Sequence, residues 1–108
     1  MKDTKYTEIF KLKDMLDAID LEYEFYDRSI DIGEYKHYHY QIILLDEKGD
    51  RIVSVVQGSC TYGGDNNKLE IMGLLTPEEE EHDSVVGWLT ADEVYERIMN
   101  YYGSREEF

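Results

Sequence analysis

The sequence predicts one α+β domain over residues 1–108: an N-terminal helix, an antiparallel meander of about four strands and a C-terminal helix. Apolar residues recur at helical spacing at both ends of the chain, and the runs between them alternate or are rich in β-branched residues. Short polar intervals separate most of these runs, which favours antiparallel neighbours. A chain of 108 residues has the usual size of one domain.

The first helix is predicted within residues 4–19. Thr4 or Thr7 is placed to cap it, because a hydroxyl can accept a hydrogen bond from the free amides of the first turn. Its apolar positions share one helical face, whereas most of its charged residues fall elsewhere. These apolar positions are Ile9, Leu12, Met15, Leu16 and Ile19.

The strand predictions begin at residues 21–26, where apolar and polar residues alternate with a period of two. Ile30 and Ile32 either extend this strand or form a separate short one. After a change of direction near Gly33, residues 35–45 predict a largely buried strand.

The clearest hairpin joins that strand to residues 51–57, which are rich in valine and isoleucine. Residues 46–50 form its polar, glycine-containing turn. A loop over residues 58–67 follows, and Leu69 and Ile71 indicate the next strand.

The C-terminal third begins with a predicted short helical turn, in which a threonine and a proline precede Glu78–Glu81. Thr90 and Glu93 then form a T-x-x-E capping box that opens the last helix. Gly103 is placed to stop this helix, which leaves residues 104–108 as a frayed tail.

The composition is strongly acidic: 25 Asp and Glu residues against 11 Lys and Arg give a net charge of -14. A field of this sign repels nucleic-acid phosphates and anionic lipid and favours basic partners. No apolar run is long enough to span a membrane, and none follows the N-terminal lysines as in a signal peptide. A lone cysteine makes no internal disulfide, so we expect a cytoplasmic protein. From the charge and the lack of a long apolar run, we expect no direct contact with nucleic acid or membrane.

The acidity is concentrated in residues 76–108, where ten carboxylates stand against two arginines. This concentration predicts a binding face for a basic protein, with an ordinary solubilising surface as the alternative. The candidate residues of this face are Glu78, Glu79, Glu80, Glu81, Asp83, Asp92, Glu93 and Glu96.

Two other features are candidate ligand sites. His37 and His39 would share one face of a strand, where imidazoles can bind a divalent metal, but half-buried histidines of an aromatic strand are the favoured interpretation. The 58–67 loop carries Cys60, Tyr62 and Asp65 and is long enough for recognition. The acidic surroundings argue against a reactive thiolate at Cys60.

Catalysis is not predicted, because no nucleophile, base and orienting group occur together at a diagnostic spacing. His82 beside Asp83 resembles a carboxylate–histidine pair, but an exposed surface histidine explains it more simply. An enzymatic function would have to be reconsidered if the structure placed Cys60 and a histidine in one cleft. No cofactor is predicted, and either a monomer or a homodimer is expected, since sheet edges can pair between subunits.

Residues 55–64 (VVQGSCTYGG), 69–75 (LEIMGLL) and 83–91 (DSVVGWLTA) resemble small uncharacterised acidic proteins encoded by phages and prophages of Gram-positive (Firmicutes) bacteria. The resemblance covers about the C-terminal half and implies a mobile element in a bacterial host cell, with no catalytic residue carried over. The leading hypothesis is therefore a non-enzymatic binding protein that contacts a basic host protein, as a phosphate-mimicking inhibitor. The alternative is a small-ligand or metal-binding module built from the sheet face and the 58–67 loop.

Overall fold

A computed structural model describes residues 6–59, 61 and 66–106 of the protein. The helices are α1 (Glu8–Ala18), α2 (Pro77–His82) and α3 (Ala91–Glu106). The strands are β1 (Glu24–Asp27), β2 (Ile30–Ile32), β3 (Tyr35–His37), β4 (His39–Leu45), β5 (Arg51–Gly58), β6 (Leu69–Met72) and β7 (Val86–Leu89). The predicted class and its helix–sheet–helix order are confirmed.

The sheet has more strands than the meander of about four that the sequence predicts. Its order is β1-β4-β5-β6-β7, with every neighbouring pair antiparallel. Strand β7 has no sequence counterpart because it is short and irregular: Gly87 and Trp88 together lie opposite Glu70 of β6, and Trp88 has a φ of +64°. Such a bulge disturbs the alternation by which strands are recognised.

A separate hairpin of β2 and β3 is inserted between β1 and β4. Ile30 and Ile32 thus form their own strand, and the single strand predicted over 35–45 is wrong because it is divided at Tyr38. The turn consists of Gly33 and Glu34, with Gly33 at a φ of +63°, a conformation that glycine adopts at little cost.

The core lies between the sheet and two helices, α1 and α3, which begin at the same end of the molecule. The amide N–H of Ala91 donates to Glu8 Oε1 (2.7 Å), and Lys11 Nζ lies 3.2 Å from Asp92 Oδ2. Helix α1 packs against β4 and β5, and α3 packs against β6 and α1. The largest apolar side chains that are fully buried are Ile9, Leu12, Leu16, Ile42, Leu44, Val53, Val55, Leu69, Ile71, Val94 and Ile98.

The N-terminal end of α1 is capped by distant residues. Thr7 is the N-cap residue, but its hydroxyl makes no capping bond. Asn67 Oδ1 accepts from the amides of Thr7 (2.8 Å) and Glu8 (3.2 Å), and Gln57 Oε1 accepts from the amide of Ile9 (3.0 Å). The other predicted cap, Thr4, lies outside the described residues.

Helix α3 passes through Gly103 and reaches Glu106, so the predicted stop at Gly103 is wrong. A glycine ends a helix when the chain turns into the left-handed region there, and Gly103 has no positive φ. Of the predicted frayed tail, residues 104–106 are helical and 107–108 lie outside the described residues. Within the described part of the chain, no helix is both long and apolar enough to cross a membrane.

Candidate functional site

Helix α2 carries the four consecutive glutamates and is capped at its first turn. The hydroxyl of Thr76 accepts from the amide of Glu79 (3.2 Å), and Glu79 Oε1 accepts from the amide of Thr76 (2.8 Å). Pro77 occupies the first helical position, where a missing amide hydrogen costs nothing. Carboxylates in the first turn also interact favourably with the partial positive charge of the helix end. None of the residues of α2 is buried.

Arg97 of α3 fastens α2 to the rest of the protein. Its Nη1 donates to Glu79 Oε1 (2.9 Å) and to the carbonyl oxygen of Leu74 (2.9 Å), and its Nη2 donates to Glu79 Oε2 (2.8 Å). A two-pronged bond between guanidinium and carboxylate fixes the relative orientation of both groups. The side chains of Arg97 and Glu79 are 23% and 27% exposed, so the pair is shielded from most of the solvent.

The same contacts perturb the protonation of both partners. The hydrogen bond from Arg97, together with the backbone hydrogen bond at Thr76, lowers the pKa of Glu79 from 4.5 to about 2. The hydrogen bond to Glu79 raises the pKa of Arg97 above its ordinary value. The ion pair is therefore fully charged at neutral pH.

The start of α3 adds carboxylates next to this ion pair. The predicted capping box is present: the hydroxyl of Thr90 accepts from the amide of Glu93 (3.1 Å), and Glu93 Oε1 accepts from the amide of Thr90 (2.8 Å). Glu93 lies one turn before Arg97 and attracts its charge. Asp92 pairs with Lys11 of α1 on the exposed side.

The eight predicted acidic residues therefore differ in their structural roles. Glu79 and Glu93 close capping boxes, and Asp92 pairs with a lysine. The remaining five are exposed on α2, just after it and on α3, and we call them the acidic surface: Glu78, Glu80, Glu81, Asp83 and Glu96. Arg97, one of the two arginines among residues 76–108, is the residue that holds the two helices of this surface together.

The prediction that His37 and His39 share one strand is wrong. His37 ends β3 and His39 begins β4. They still interact: burial lowers the pKa of His39, and the charges of His37 and Arg28 lower it further. Among the residues that the structure describes, no three His, Cys, Asp or Glu side chains form a group that could hold a metal ion.

The predicted recognition loop is described only in part, and Cys60, Tyr62 and Asp65 lie outside the described residues. The described parts hold the fold together. Ser59 Oγ accepts from the amide of Tyr38 (3.0 Å), Thr61 Oγ1 accepts from the amide of Gly58 (2.9 Å), and Asn67 caps α1. His82 is exposed at the end of α2, as expected.

No protein-family model, curated protein or solved structure matches this chain. The function is therefore inferred from the chemistry of its surface.

Proposed function

We propose that this protein is a non-enzymatic binding protein whose acidic surface contacts a basic protein. The observation that best supports the proposal is the set of hydrogen bonds that the Arg97 guanidinium donates to Glu79 and to the carbonyl oxygen of Leu74. These bonds attach the acidic helix α2 to α3. A solubilising surface needs no such attachment, whereas a recognition surface gains affinity when its charges are held in place before binding.

The charge of the whole chain supports the same proposal. A net charge of -14 attracts a cationic partner from a distance, and the exposed carboxylates of α2 then provide the local contacts. Residues three apart on a helix are neighbours, with about 5–6 Å between their Cβ atoms. Glu78 and Glu81 are such a pair, so α2 presents neighbouring negative charges on one face.

Neighbouring carboxylates on a helix that Arg97 holds in place resemble the phosphates of nucleic acid in charge. The proposed partner is thus a basic protein with a groove for nucleic acid, and this protein would act as a phosphate-mimicking inhibitor. The sequence resemblance to phage and prophage proteins favours a nucleic-acid-processing or defence protein of the bacterial host cytoplasm.

The capture experiment compares the wild type with two charge-matched variants. E78Q/E80Q/E81Q removes three charges from the acidic surface, and E22Q/E47Q/D50N removes three exposed carboxylates elsewhere. Each tagged protein is incubated at low salt with lysate of a Gram-positive host, and the retained proteins are identified by mass spectrometry. We expect a basic nucleic-acid-binding protein to be retained by the wild type and by the second variant, with at least about tenfold less on the first.

Duplex DNA provides the test of phosphate mimicry. DNA should release the captured protein if both ligands occupy the same groove, and raising the salt concentration should weaken the complex. The proposal fails if the wild type retains no basic protein, or if both variants lose the partner equally.

A further inference from the structure

A groove lies at the end of the molecule where α1 and α3 finish, away from the acidic surface. It consists of two adjoining cavities of about 500 and 460 Å³, which share Glu22, Leu45, Asp46 and Glu47. Cavities of this size are typical of small-molecule sites. The groove is formed by the segment after α1, the turn between β4 and β5, and the last turns of α3.

Apolar and aromatic side chains form much of the groove wall. Leu21, Leu45 and Ile52 line the larger cavity together with Tyr101 and Tyr102, whose rings meet edge to face at 5.2 Å between centroids. Such a surface can bind a hydrocarbon chain, and tyrosine faces attract cations.

The charged side chains that line the groove are all acidic. Glu22, Glu24, Asp46 and Glu47 line the two cavities, and none of the described lining residues is basic. Helix α1 also ends here, since the amide of Leu21 donates to the carbonyl oxygen of Leu16 (3.1 Å). The partial negative charge at a helix C-terminus adds to the attraction for a cation.

The arrangement does not suit a single metal ion. In the described residues, these carboxylates do not form a group of three that could surround one metal. Acidic side chains beside an apolar and aromatic wall instead match a cation that also carries methylene groups.

We propose that this groove binds a linear aliphatic polyamine. Its ammonium groups would pair with Glu22 and Glu47, and its methylene groups would pack against Leu45 and the two tyrosines. The proposal is independent of the proposed function, because it uses the opposite end of α3 and none of the carboxylates of the acidic surface.

Calorimetric titration with spermidine tests the proposal. We compare the wild type with E22Q/E47Q and with the charge-matched E78Q/E80Q, since all four glutamates are exposed. We expect E22Q/E47Q to lose about tenfold in affinity, and E78Q/E80Q to change by less than about twofold. A neutral diol of similar length should not bind, because it lacks the charges that the groove selects.

Amide NMR shifts of the wild type locate the ligand without any mutation. Spermidine should shift the signals of residues 21–24, 45–49 and 101–102. Equal weakening in both variants, shifts centred on α2, or equal binding of the diol would overturn the proposal.

Discussion

Replacing Gln57 by leucine is expected to lower the free energy of unfolding by about 2–3 kcal/mol. Gln57 is fully buried: its Oε1 accepts from the amide of Ile9 (3.0 Å), and its Nε2 donates to Asn67 Oδ1 (2.9 Å). Leucine has a similar size but leaves the Ile9 amide without a partner inside the core. A buried, unsatisfied donor costs more than the hydrogen bond contributes.

Urea unfolding at pH 7 measures this effect, and Gln41→Leu is the matched control. Gln41 donates to Ser54 Oγ (2.9 Å) and accepts from Arg28 Nε (3.1 Å), but it is half-buried, so water can replace its bonds. We expect the control to cost less than about 1 kcal/mol. Equal losses in the two variants would show that Gln57 does not hold α1 on the sheet.

Replacing Glu79 by glutamine is expected to destabilise the fold by about 2 kcal/mol at pH 7, with the difference from the wild type disappearing in acid. Glutamine can still close the capping box with Thr76, so the change isolates the charged bond to Arg97. The pKa of Glu79 is lowered from 4.5 to about 2, which sets an upper bound of about 3.4 kcal/mol on the contribution of its charge. Because the side chain is 27% exposed, solvent screening reduces this figure.

The direction of this pH dependence follows from the lowered pKa of Glu79. The carboxylate stabilises the fold fully above its ordinary pKa of 4.5, and this contribution is lost as the pH falls from 4.5 toward 2. Unfolding free energies of the wild type and E79Q should therefore converge over this interval. E80Q, which removes the same charge from an exposed position, should differ from the wild type by less than about 0.5 kcal/mol at every pH. A constant difference between the wild type and E79Q would contradict the role of the ion pair.

Local patterns were sufficient to predict much of the fold. The apolar spacing of α1, the hairpin of β4 and β5, and the Thr90 capping box all depend on residues close in sequence. The features that were missed depend on distant partners. The cap of α1 comes from Gln57 and Asn67, which lie 48 and 60 residues from the amides they accept from.

In the candidate site, too, the features set by neighbouring residues were predicted and those set by distant partners were not. The sequence located the carboxylates correctly on α2 and α3, because a run of glutamates is visible directly. It did not reveal that Glu79 is bound by Arg97, 18 residues later. Pairing between helices depends on how they pack, and packing is not encoded by local spacing.

Hydrogen exchange tests the central claim, binding through the acidic surface, most directly. Exchange is measured by mass spectrometry on the protein alone and in complex with the basic protein that it captures. Binding through the acidic surface predicts slower exchange in residues 76–83 and in the first two turns of α3, with little change in the β2–β3 hairpin and the end groove. Slower exchange confined to the hairpin or to the end groove, with residues 76–83 unaffected, would contradict it.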